Sequence, residues 1–520
     1  MKTDELMDAI TELDDDLLNE AAETPSPEEI RAAKRAERAA ARRKLIFRAG
    51  AAAALITLVL LLAPMFGNRR NGDDWKTPAS EAPKAGGIIE APHDSAGAKL
   101  LAQPVYPEEM TWQEERDDPL VQSPAYSRWI NGRDAAELYR GFFADTMLLL
   151  LSDQTEESAV MSPVNIFMAT AMLAEITDGE TRQEILSALG AADIEQLRDQ
   201  AAKIWGLSYK DDGREKTVLA NSLWLNDSLQ YQQSTVQRLA DSYYASAFIG
   251  KMGSDSCNSL LQRWLNDMTG GLLADQVKGI ELPSDTALAL ISTILHETRW
   301  GDEFNKDNTK PGTFHSPAGD VDAEFMYSYH DTTTLFTADK YRFIQKGTRQ
   351  GRVLFFLPNE GTSVSEMMQE ESFRTLLAYP FKGDDYFALD PADGFYHGTT
   401  NRGITGSFAW INLTVPKLDI SYQQDLTAAL QALGIKTAFT ADQADYTPIT
   451  DTPGVYLQKA EQGTRLIMDE EGISAASYVE YLAGEPLLDT EIDMVFDRPF
   501  FMLVLGTNDV PLFAAVVNEP

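Results

Sequence analysis

The sequence is poor in the residues from which disulfide frameworks and metal sites are built. Its 520 residues include one cysteine, Cys257, which excludes an internal disulfide bond and a four-cysteine metal site. The histidines are scattered, and no two stand at the spacing of metal ligands: His93, His296, His315, His330 and His397. We therefore expect neither a metal ion nor a cofactor.

Positive charge is also scarce. The 44 lysines and arginines are outnumbered by 80 aspartates and glutamates, which gives a formal net charge of -36 at pH 7. Such a charge repels polyanions, so nucleic acids and heparin-like chains are not expected as partners. The 44% of hydrophobic and 24% of charged residues are ordinary for a globular protein, and they allow a large core.

Recognisable catalytic motifs are missing as well. His296-Glu297 begins like a zinc-protease motif, but Thr298-Arg299-Trp300 follows and the second histidine is absent. The sequence has neither a Gly-x-Ser-x-Gly nucleophile elbow nor a phosphate-binding glycine-rich loop ending in Lys-Ser/Thr. We interpret Cys257 as a small residue that packs a helix. These absences favour a protein that is not an enzyme, with an unrelated anchored hydrolase as the alternative.

A long apolar run lies near the N-terminus. Residues 49–67 contain no charged side chain, and residues 45–47 bring the run to the roughly 20 residues that a membrane-spanning helix requires. Arginines and lysines crowd its N-terminal side, so the positive-inside rule places that side in the cytoplasm. A cleaved signal peptide or a buried core helix is the alternative, but a signal peptide has a much shorter basic region.

These patterns divide the chain into four parts. We predict a cytoplasmic tail at 1–44, a single-pass transmembrane signal anchor in the cell membrane at 45–67, a flexible stalk at 68–128, and a folded domain at 129–520 on the extracellular face. The stalk assignment rests on its many prolines, glycines and carboxylates and on the lack of any helix or strand period.

The folded domain reads as an α+β fold. Helical patterns come first, over residues 135–151, 165–175 and 179–189. Strand-like runs dominate later, for example at 219–225 and 410–415. Because helices and strands do not alternate, a large mixed or antiparallel sheet is expected rather than a doubly wound one.

Short motifs follow one another through this domain in a characteristic order. They are Ser162-Pro163-Val164-Asn165-Ile166, Asn221-Ser222-Leu223-Trp224, Trp300 with Phe304, Val353 to Gly361, Val415 to Ile420, Asp469 to Ser477, and Asp497 to Phe501. Together they resemble the serpin family of protease inhibitors. The resemblance implies a serpin fold, with about eight or nine helices around three β-sheets and an exposed reactive-centre loop. With the predicted anchor and the single cysteine, it indicates a membrane-anchored bacterial type.

The resemblance also implies where the main sheet opens. The corresponding residues here are Ser162, Pro163, Asn165, Ser292, Trp300 and Gln462. Ser292 stands where the family usually has asparagine, and Gln462 where it often has histidine. Those two family residues hydrogen-bond each other, so we interpret the two changes as a paired substitution. Serine and glutamine can also hydrogen-bond.

The hinge that precedes the reactive loop is implied by the same resemblance. It comprises Glu471, Gly472, Ile473, Ser474, Ala475, Ala476 and Ser477. Side chains along a strand alternate between faces, and the resemblance points Ile473 inward. The inward set is then small or apolar apart from one hydroxyl: Ile473, Ala475, Ser477, Val479, Tyr481 and Ala483. Glu480 falls on the outward face, and no proline lies within 473–485, which favours a loop that can enter a sheet.

Two hinge positions depart from the family pattern. Ile473 replaces the usual threonine, and Tyr478 is bulkier than the usual small residue. Bulk at Tyr478 would slow insertion and favour cleavage of the loop as a substrate.

The bait for a protease is expected within Glu485-Pro486-Leu487-Leu488. We predict cleavage after Leu487, with Leu488 as the alternative. No lysine or arginine lies between 473 and 497, so elastase-, chymotrypsin- or subtilisin-like serine proteases are the expected partners. The resemblance implies an irreversible suicide inhibitor, expected as a monomer. A non-inhibitory or substrate-type serpin that serves as a cell-surface binding module is the alternative.

Overall fold

The computed structural model describes residues 98–117, 123–378, 397–399, 404–473 and 491–520. The predicted tail, the predicted anchor and residues 68–97 lie outside the described residues. So do six of the predicted hinge and bait residues: Ser474, Ala475, Ala476, Ser477, Leu487 and Leu488. Within the described ranges, no helix is both long and apolar enough to cross a membrane.

The described residues form eleven α-helices and several short 3-10 helices. The α-helices are α1 (Trp112–Asp117), α2 (Pro124–Gly132), α3 (Arg140–Leu151), α4 (Pro163–Glu175), α5 (Gly179–Leu189), α6 (Ile194–Ser208), α7 (Gln233–Tyr243), α8 (Asp255–Met268), α9 (Val364–Met368), α10 (Glu371–Ala378) and α11 (Thr427–Ala432). The 3-10 helices are Ala135–Tyr139, Val277–Gly279, Lys306–Asn308, Thr437–Phe439 and Thr507–Asp509.

Strands make up the larger part of the fold after residue 210. They are β1 (Ala98–Ala102), β2 (Ala159–Met161), β3 (Lys210–Asp211), β4 (Lys216–Asn226), β5 (Ala245–Gly250), β6 (Leu288–Arg299), β7 (Lys310–Ser316), β8 (Gly319–Thr337), β9 (Tyr341–Thr348), β10 (Gly351–Pro358), β11 (His397–Thr399), β12 (Thr405–Pro416), β13 (Leu418–Asp425), β14 (Glu461–Met468), β15 (Gly472–Ile473), β16 (Glu491–Val495), β17 (Phe500–Leu505) and β18 (Pro511–Val517).

The strands form two hydrogen-bonded networks in the described part of the chain. Sheet 1 has eight strands in the order β1-β5-β4-β6-β15-β14-β13, with β3 beside β4. Sheet 2 has ten strands in the order β11-β12-β8-β9-β10-β17-β18-β2, with β16 beside β12 and β7 beside β8. The long strand β8 belongs to two sectors of sheet 2, one with β7, β12 and β16 and one with β9 and β10. With sheet 1, these sectors make the three sheets expected for the α+β fold.

Helix α4 lies in the core and contacts both β6 and β18. Its start follows from the sequence Ser162-Pro163, because the Ser162 side chain accepts a hydrogen bond from the Asn165 amide and Pro163 occupies the first helical turn. All but one of its residues are buried, so the helix is enclosed by protein on every side. Helix α5 ends where Gly190 takes a left-handed conformation with φ 78°.

The folded domain begins earlier than the sequence indicated. Residues 98–117 and 123–128 were assigned to the stalk, yet β1 pairs antiparallel with β5 and extends sheet 1 by one edge strand. Tyr106 then stacks on Trp205 at 5.3 Å and on Tyr209 at 5.7 Å between ring centroids. The stalk boundary at residue 128 is therefore too late, because edge pairing and aromatic stacking bind this segment to the domain.

Candidate functional site

A slot separates β6 from β14 in the middle of sheet 1. In the described residues, these strands share no ladder with each other and are joined only through the two-residue strand β15. Residues from both strands, from the segment after α8 and from β18 line the slot: Thr269, Leu272, Leu273, Thr293, Ile294, Gly463, Thr464, Arg465 and Phe513. A strand entering the slot would find an unpaired backbone edge on either side.

Strand β15 occupies one end of this slot. Ile473 pairs with Thr298 on β6 and with Met468 on β14, antiparallel to both. Its side chain is 1% exposed, in agreement with the inward orientation. Gly472 pairs with Arg299, and a Cβ at position 472 would collide with the carbonyl group of Thr298. Only glycine therefore lets the hinge approach β6 this closely.

The faces of β14 agree with the orientation of Ile473. Gln462, Thr464, Leu466 and Met468 are buried, whereas Glu461 and Gly463 are exposed. Because paired residues of neighbouring strands project to the same face, Ile473 lies on the same buried face as Met468. The inner wall of the slot is thus defined by the even-numbered residues of β14.

Trp300 holds the turn that connects β14 to β15. Its indole Nε1 donates to the carbonyl oxygen of Asp469 at 2.9 Å, and its backbone amide donates to that of Glu471 at 3.0 Å. The Asp469 carboxylate accepts from the amides of Glu471 and Gly472 at 2.9 and 3.2 Å. The buried indole therefore fixes the point at which the loop leaves the sheet.

Three ion pairs beside this turn were not singled out from the sequence, and one of them joins Lys306 to Glu471. Glu470 bonds to Thr309 at 2.8 Å and pairs with Lys417 at 3.2 Å. Burial alone would raise the pKa of the Glu470 carboxyl group. Hydrogen bonds from Thr309 and Lys417 outweigh this effect, so the pKa lies below its usual value. The third pair is Lys346–Asp331, whose side chains are 2% and 1% exposed.

Lys346 also lies beneath the aromatic rings at the hinge. Its ammonium group is 4.4 Å from the ring centroid of Phe304 and 5.3 Å from that of Trp300, so it makes cation–π contacts with both. No local sequence pattern could have found these pairs, because Lys346 on β9 and Lys417 between β12 and β13 are distant in the chain from the hinge.

The centre of the slot is spanned by hydrogen bonds at the start of α4. Gln462 Oε1 accepts from the Ser162 amide and Gln462 Nε2 donates to the Ser162 carbonyl, both at 3.0 Å. The Ser292 hydroxyl lies 2.9 Å from Asn165 Oδ1 and 2.7 Å from Asn221 Oδ1. The direct Ser292–Gln462 bond considered from the sequence is not formed, because the longer glutamine side chain reaches the backbone of Ser162 instead.

All six residues expected at the sheet opening thus surround the slot or the turn above it. Gln462 is on β14, Ser292 is on β6, and Ser162, Pro163 and Asn165 form the start of α4 between them; Trp300 caps the hinge. Thr298 and Arg299, which pair with the hinge, were not predicted as site residues.

His296 lies on the inner wall of the slot without a catalytic partner. Its Nδ1 is 2.6 Å from the Thr217 hydroxyl, and its Nε2 has no hydrogen-bond partner among the described residues. Burial lowers the pKa of His296 to about 3, so the ring is neutral at physiological pH. No cluster of three metal-binding side chains occurs in the described ranges.

Comparison with known proteins agrees with this geometry. Residues 139–520 match the family model described as serpin (serine protease inhibitor). The chain belongs to the serpin family. It is 24% identical over 398 residues to Serpin-Z2A of Oryza sativa subsp. japonica, covering 70% of this chain and 92% of that protein. It is 26% identical over 394 residues to the alpha-1-antiproteinase of Rattus norvegicus, covering 73% of this chain and 87% of that protein.

A solved serpin shares the fold. The Arabidopsis AtSerpin1 structure, in its native stressed conformation, superposes with a TM-score of 0.60 at 21% identity and covers 75% of this chain and 98% of its own. The serpin fold inferred from the sequence motifs is therefore confirmed. The family is one of protease inhibitors rather than of enzymes.

Proposed function

We propose that this serpin is an irreversible suicide inhibitor of serine proteases that traps the acyl-enzyme by inserting its cleaved loop into sheet 1. The observation that carries the proposal is β15, a strand of two residues with Ile473 buried between β6 and β14. Beyond Ile473 the slot continues between the two strands with its backbone edges unpaired in the described residues.

The pairing of β15 supplies a register for the rest of the loop. In antiparallel pairing, each residue forward on the loop faces one residue back on both partners. From Ile473 opposite Thr298 and Met468, Ala475 then falls between His296 and Leu466. Val479 falls between Ser292 and Gln462, at the centre of the slot.

This register suits the composition of the loop. Odd-numbered residues share the buried face with Ile473, and the first of them, Ala475, Ser477 and Val479, are small enough for a close-packed interior. Glu480 falls on the other face, opposite the exposed Glu461, where its charge stays in water. A slip of one residue would bury that charge at a cost of several kcal/mol.

The register also defines the neighbours of Tyr478. Its position lies opposite Gly463 on the outer face, and a Cβ at Gly463 would meet no heavy atom within 4 Å. On β6 the same register places Tyr478 beside Thr293, which is 4% exposed. The ring therefore has an open neighbour on β14 and a covered one on β6, so its bulk remains a cost to insertion.

The chemistry follows from the acyl-transfer step of a serine protease. The protease serine attacks the carbonyl carbon of Leu487, the peptide bond breaks, and the amine of Leu488 leaves with the proton that the protease histidine delivers. Leu487 remains esterified to the serine. The severed loop is then free to enter the slot and carries the protease with it, which deforms the oxyanion hole before water can hydrolyse the ester. One inhibitor is consumed for each protease.

The location of the inhibitor is part of the same proposal. A basic segment followed by an apolar run supports a membrane anchor at 45–67, with the tail 1–44 in the cytoplasm and the serpin domain outside the cell, as in a membrane-anchored bacterial serpin. Residues 68–97 then serve as the tether. This arrangement would place the inhibitor where secreted or invading proteases reach the cell surface.

A substrate-type serpin is the second candidate, because Ile473 and Tyr478 depart from the usual hinge residues. The bulk of Tyr478 would slow insertion, so the acyl-enzyme would be hydrolysed first. A protease that cuts the loop would in that case be released unharmed.

The two candidates differ in the product of a simple reaction. The protein is mixed with pancreatic elastase, chymotrypsin or subtilisin, and the products are separated on a denaturing gel. A covalent band at the summed mass, with release of a peptide that begins at Leu488 or Asp489, is the expected result. A clipped serpin with fully active protease in all three reactions would exclude inhibition of these proteases and favour the substrate type.

A further inference from the structure

Three rings stack where the chain re-enters sheet 2 after the reactive loop. The Tyr329 and His330 rings lie 3.8 Å apart between centroids, and the His330 and Trp410 rings lie 4.5 Å apart. Tyr329 is 57% exposed although it is a large aromatic residue on a strand. An exposed aromatic ring held in a fixed stack is typical of a contact surface rather than of a core.

A bulge in β8 presents this stack. Between the pairs Ile411–Thr332 and Leu413–Ser328, β8 contains more residues than β12. His330 has a positive φ of 51°, which is uncommon for a residue other than glycine. Its amide donates to Asn412 Oδ1 at 3.2 Å, so a neighbouring strand holds the bulge in place. Bulges of this kind redirect side chains and are frequent beside functional sites.

The stack is tied to the end of the reactive loop. Trp410 pairs with Glu491, the first residue of β16. One carboxylate oxygen of Glu491 accepts from the Tyr329 hydroxyl at 2.9 Å and lies 3.2 Å from His330 Nε2. The Glu491 side chain is 50% exposed, so its carboxylate can still meet a partner.

The length of the loop brings a protease to this surface. Glu491 is four positions after Leu487 in the sequence, and an extended chain spans at most about 14 Å over four positions. A protease domain of about 220 residues has a radius of gyration of about 17 Å. A protease bound at Leu487 or Leu488 must therefore overlie the residues around Glu491.

We propose that Tyr329, His330, Trp410 and Glu491 form an exosite for the target protease, and this inference rests on the proposed function. The exposed ring of Tyr329 and the adjacent carboxylate of Glu491 suit a basic side chain beside the protease active site, through a cation–π contact and an ion pair. The exosite fixes the orientation of the protease before the loop is cut, and it adds selectivity that the apolar bait alone lacks.

Binding to inactive proteases tests the exosite directly. Subtilisin, chymotrypsin and elastase with the catalytic serine changed to alanine bind the loop but cannot acylate it. For whichever of them binds the wild type most tightly, Tyr329→Ala should raise Kd about tenfold, whereas Tyr329→Phe, which keeps the ring, should raise it less than threefold. The matched control Tyr126→Ala removes an exposed tyrosine from α2 and should leave Kd unchanged. Equal Kd values for wild type and Tyr329→Ala would overturn the proposal.

Cross-linking supplies the second measurement. A photoreactive benzoylphenylalanine at position 329 should label the bound inactive protease, and the same group at position 126 should not. If the stack only stabilises the end of the strand, position 329 should not be labelled, even at protein concentrations well above the measured Kd, where the complex is formed. The covalent gel band with active protease tests the proposed function separately, so failure of the exosite and failure of the inhibitor are distinguishable. Glu491→Gln should also weaken the salt dependence of Kd, and an unchanged dependence would exclude a basic partner.

Discussion

Replacing Ile473 by arginine should convert the proposed inhibitor into a substrate. Ile473 is 1% exposed at the head of the slot, beside Thr298 and Met468. Removing its buried side chain costs about 1.5–3 kcal/mol, and forcing a charge onto this face costs several kcal/mol more. The arginine is expected to leave the slot in the uncleaved protein and must enter it when the loop inserts, so the cost falls on insertion. Each 1.4 kcal/mol retained in the transition state of insertion slows that step about tenfold. The acyl-enzyme is then hydrolysed faster than the loop inserts, and the protease is released.

The assay is a titration of a fixed amount of protease with each variant. Wild type should inhibit at a ratio close to one inhibitor per protease, whereas Ile473→Arg should require at least ten. Ser474→Arg is the matched control, because the register places position 474 on the opposite face, beside Glu297, where an arginine is tolerated. Circular dichroism confirms that both variants are folded. An unchanged ratio for Ile473→Arg, or equal loss in both variants, would refute the assignment of the inward face.

Three further predictions concern the described domain. Gln462→Ala leaves the buried amide and carbonyl of Ser162 without their partner, so denaturant unfolding should show a loss of about 2–4 kcal/mol. His296 is neutral when folded, with a pKa of about 3, so as the pH falls below 6.5 only the unfolded state gains its proton. Between pH 6.5 and 4.5 wild type should therefore lose about 2.3 kcal/mol more unfolding free energy than His296→Gln. A similar loss in both proteins would contradict a buried neutral ring. Tyr106→Ala removes a ring stacked on Trp205 and should lower the free energy of unfolding by about 3 kcal/mol, whereas no loss would show that this segment is not part of the domain.

The orientation of Ile473 could be predicted from the family resemblance, and the burial of Ile473 agrees with it. Alternation along a strand then places Glu480 on the opposite face, a prediction that falls outside the described residues. The helices at 165–175 and 179–189 could also be predicted from the sequence. Ser162-Pro163 marks the start of the first, and Gly190 marks the end of the second.

The hydrogen bonds at the centre of the slot could not be predicted in the same way. Which partner Gln462 selects depends on the start of α4, which lies 300 residues earlier in the chain. A glutamine can bond a hydroxyl or a backbone amide equally well, so residue type does not decide between Ser292 and Ser162. Only the three-dimensional distance does.

The position of β1 was missed for a related reason. Ala98–Ala102 is five residues long, and Leu100 and Leu101 are adjacent, so no alternation marks it as a strand. The prolines and glycines around it indicated a stalk. What places it in the domain is the free edge of β5, a long-range feature that composition does not contain.

Hydrogen exchange before and after cleavage of the loop tests loop insertion most directly. The amides of Leu288–Glu297 on β6 and of Glu461–Met468 on β14 border the slot and have no ladder between them in the described residues. If the cut loop enters as a strand, amides in both segments should exchange much more slowly after cleavage, while those of β10 and β17, which are already paired, should change little. Unchanged exchange in β6 and β14 after complete cleavage would contradict insertion.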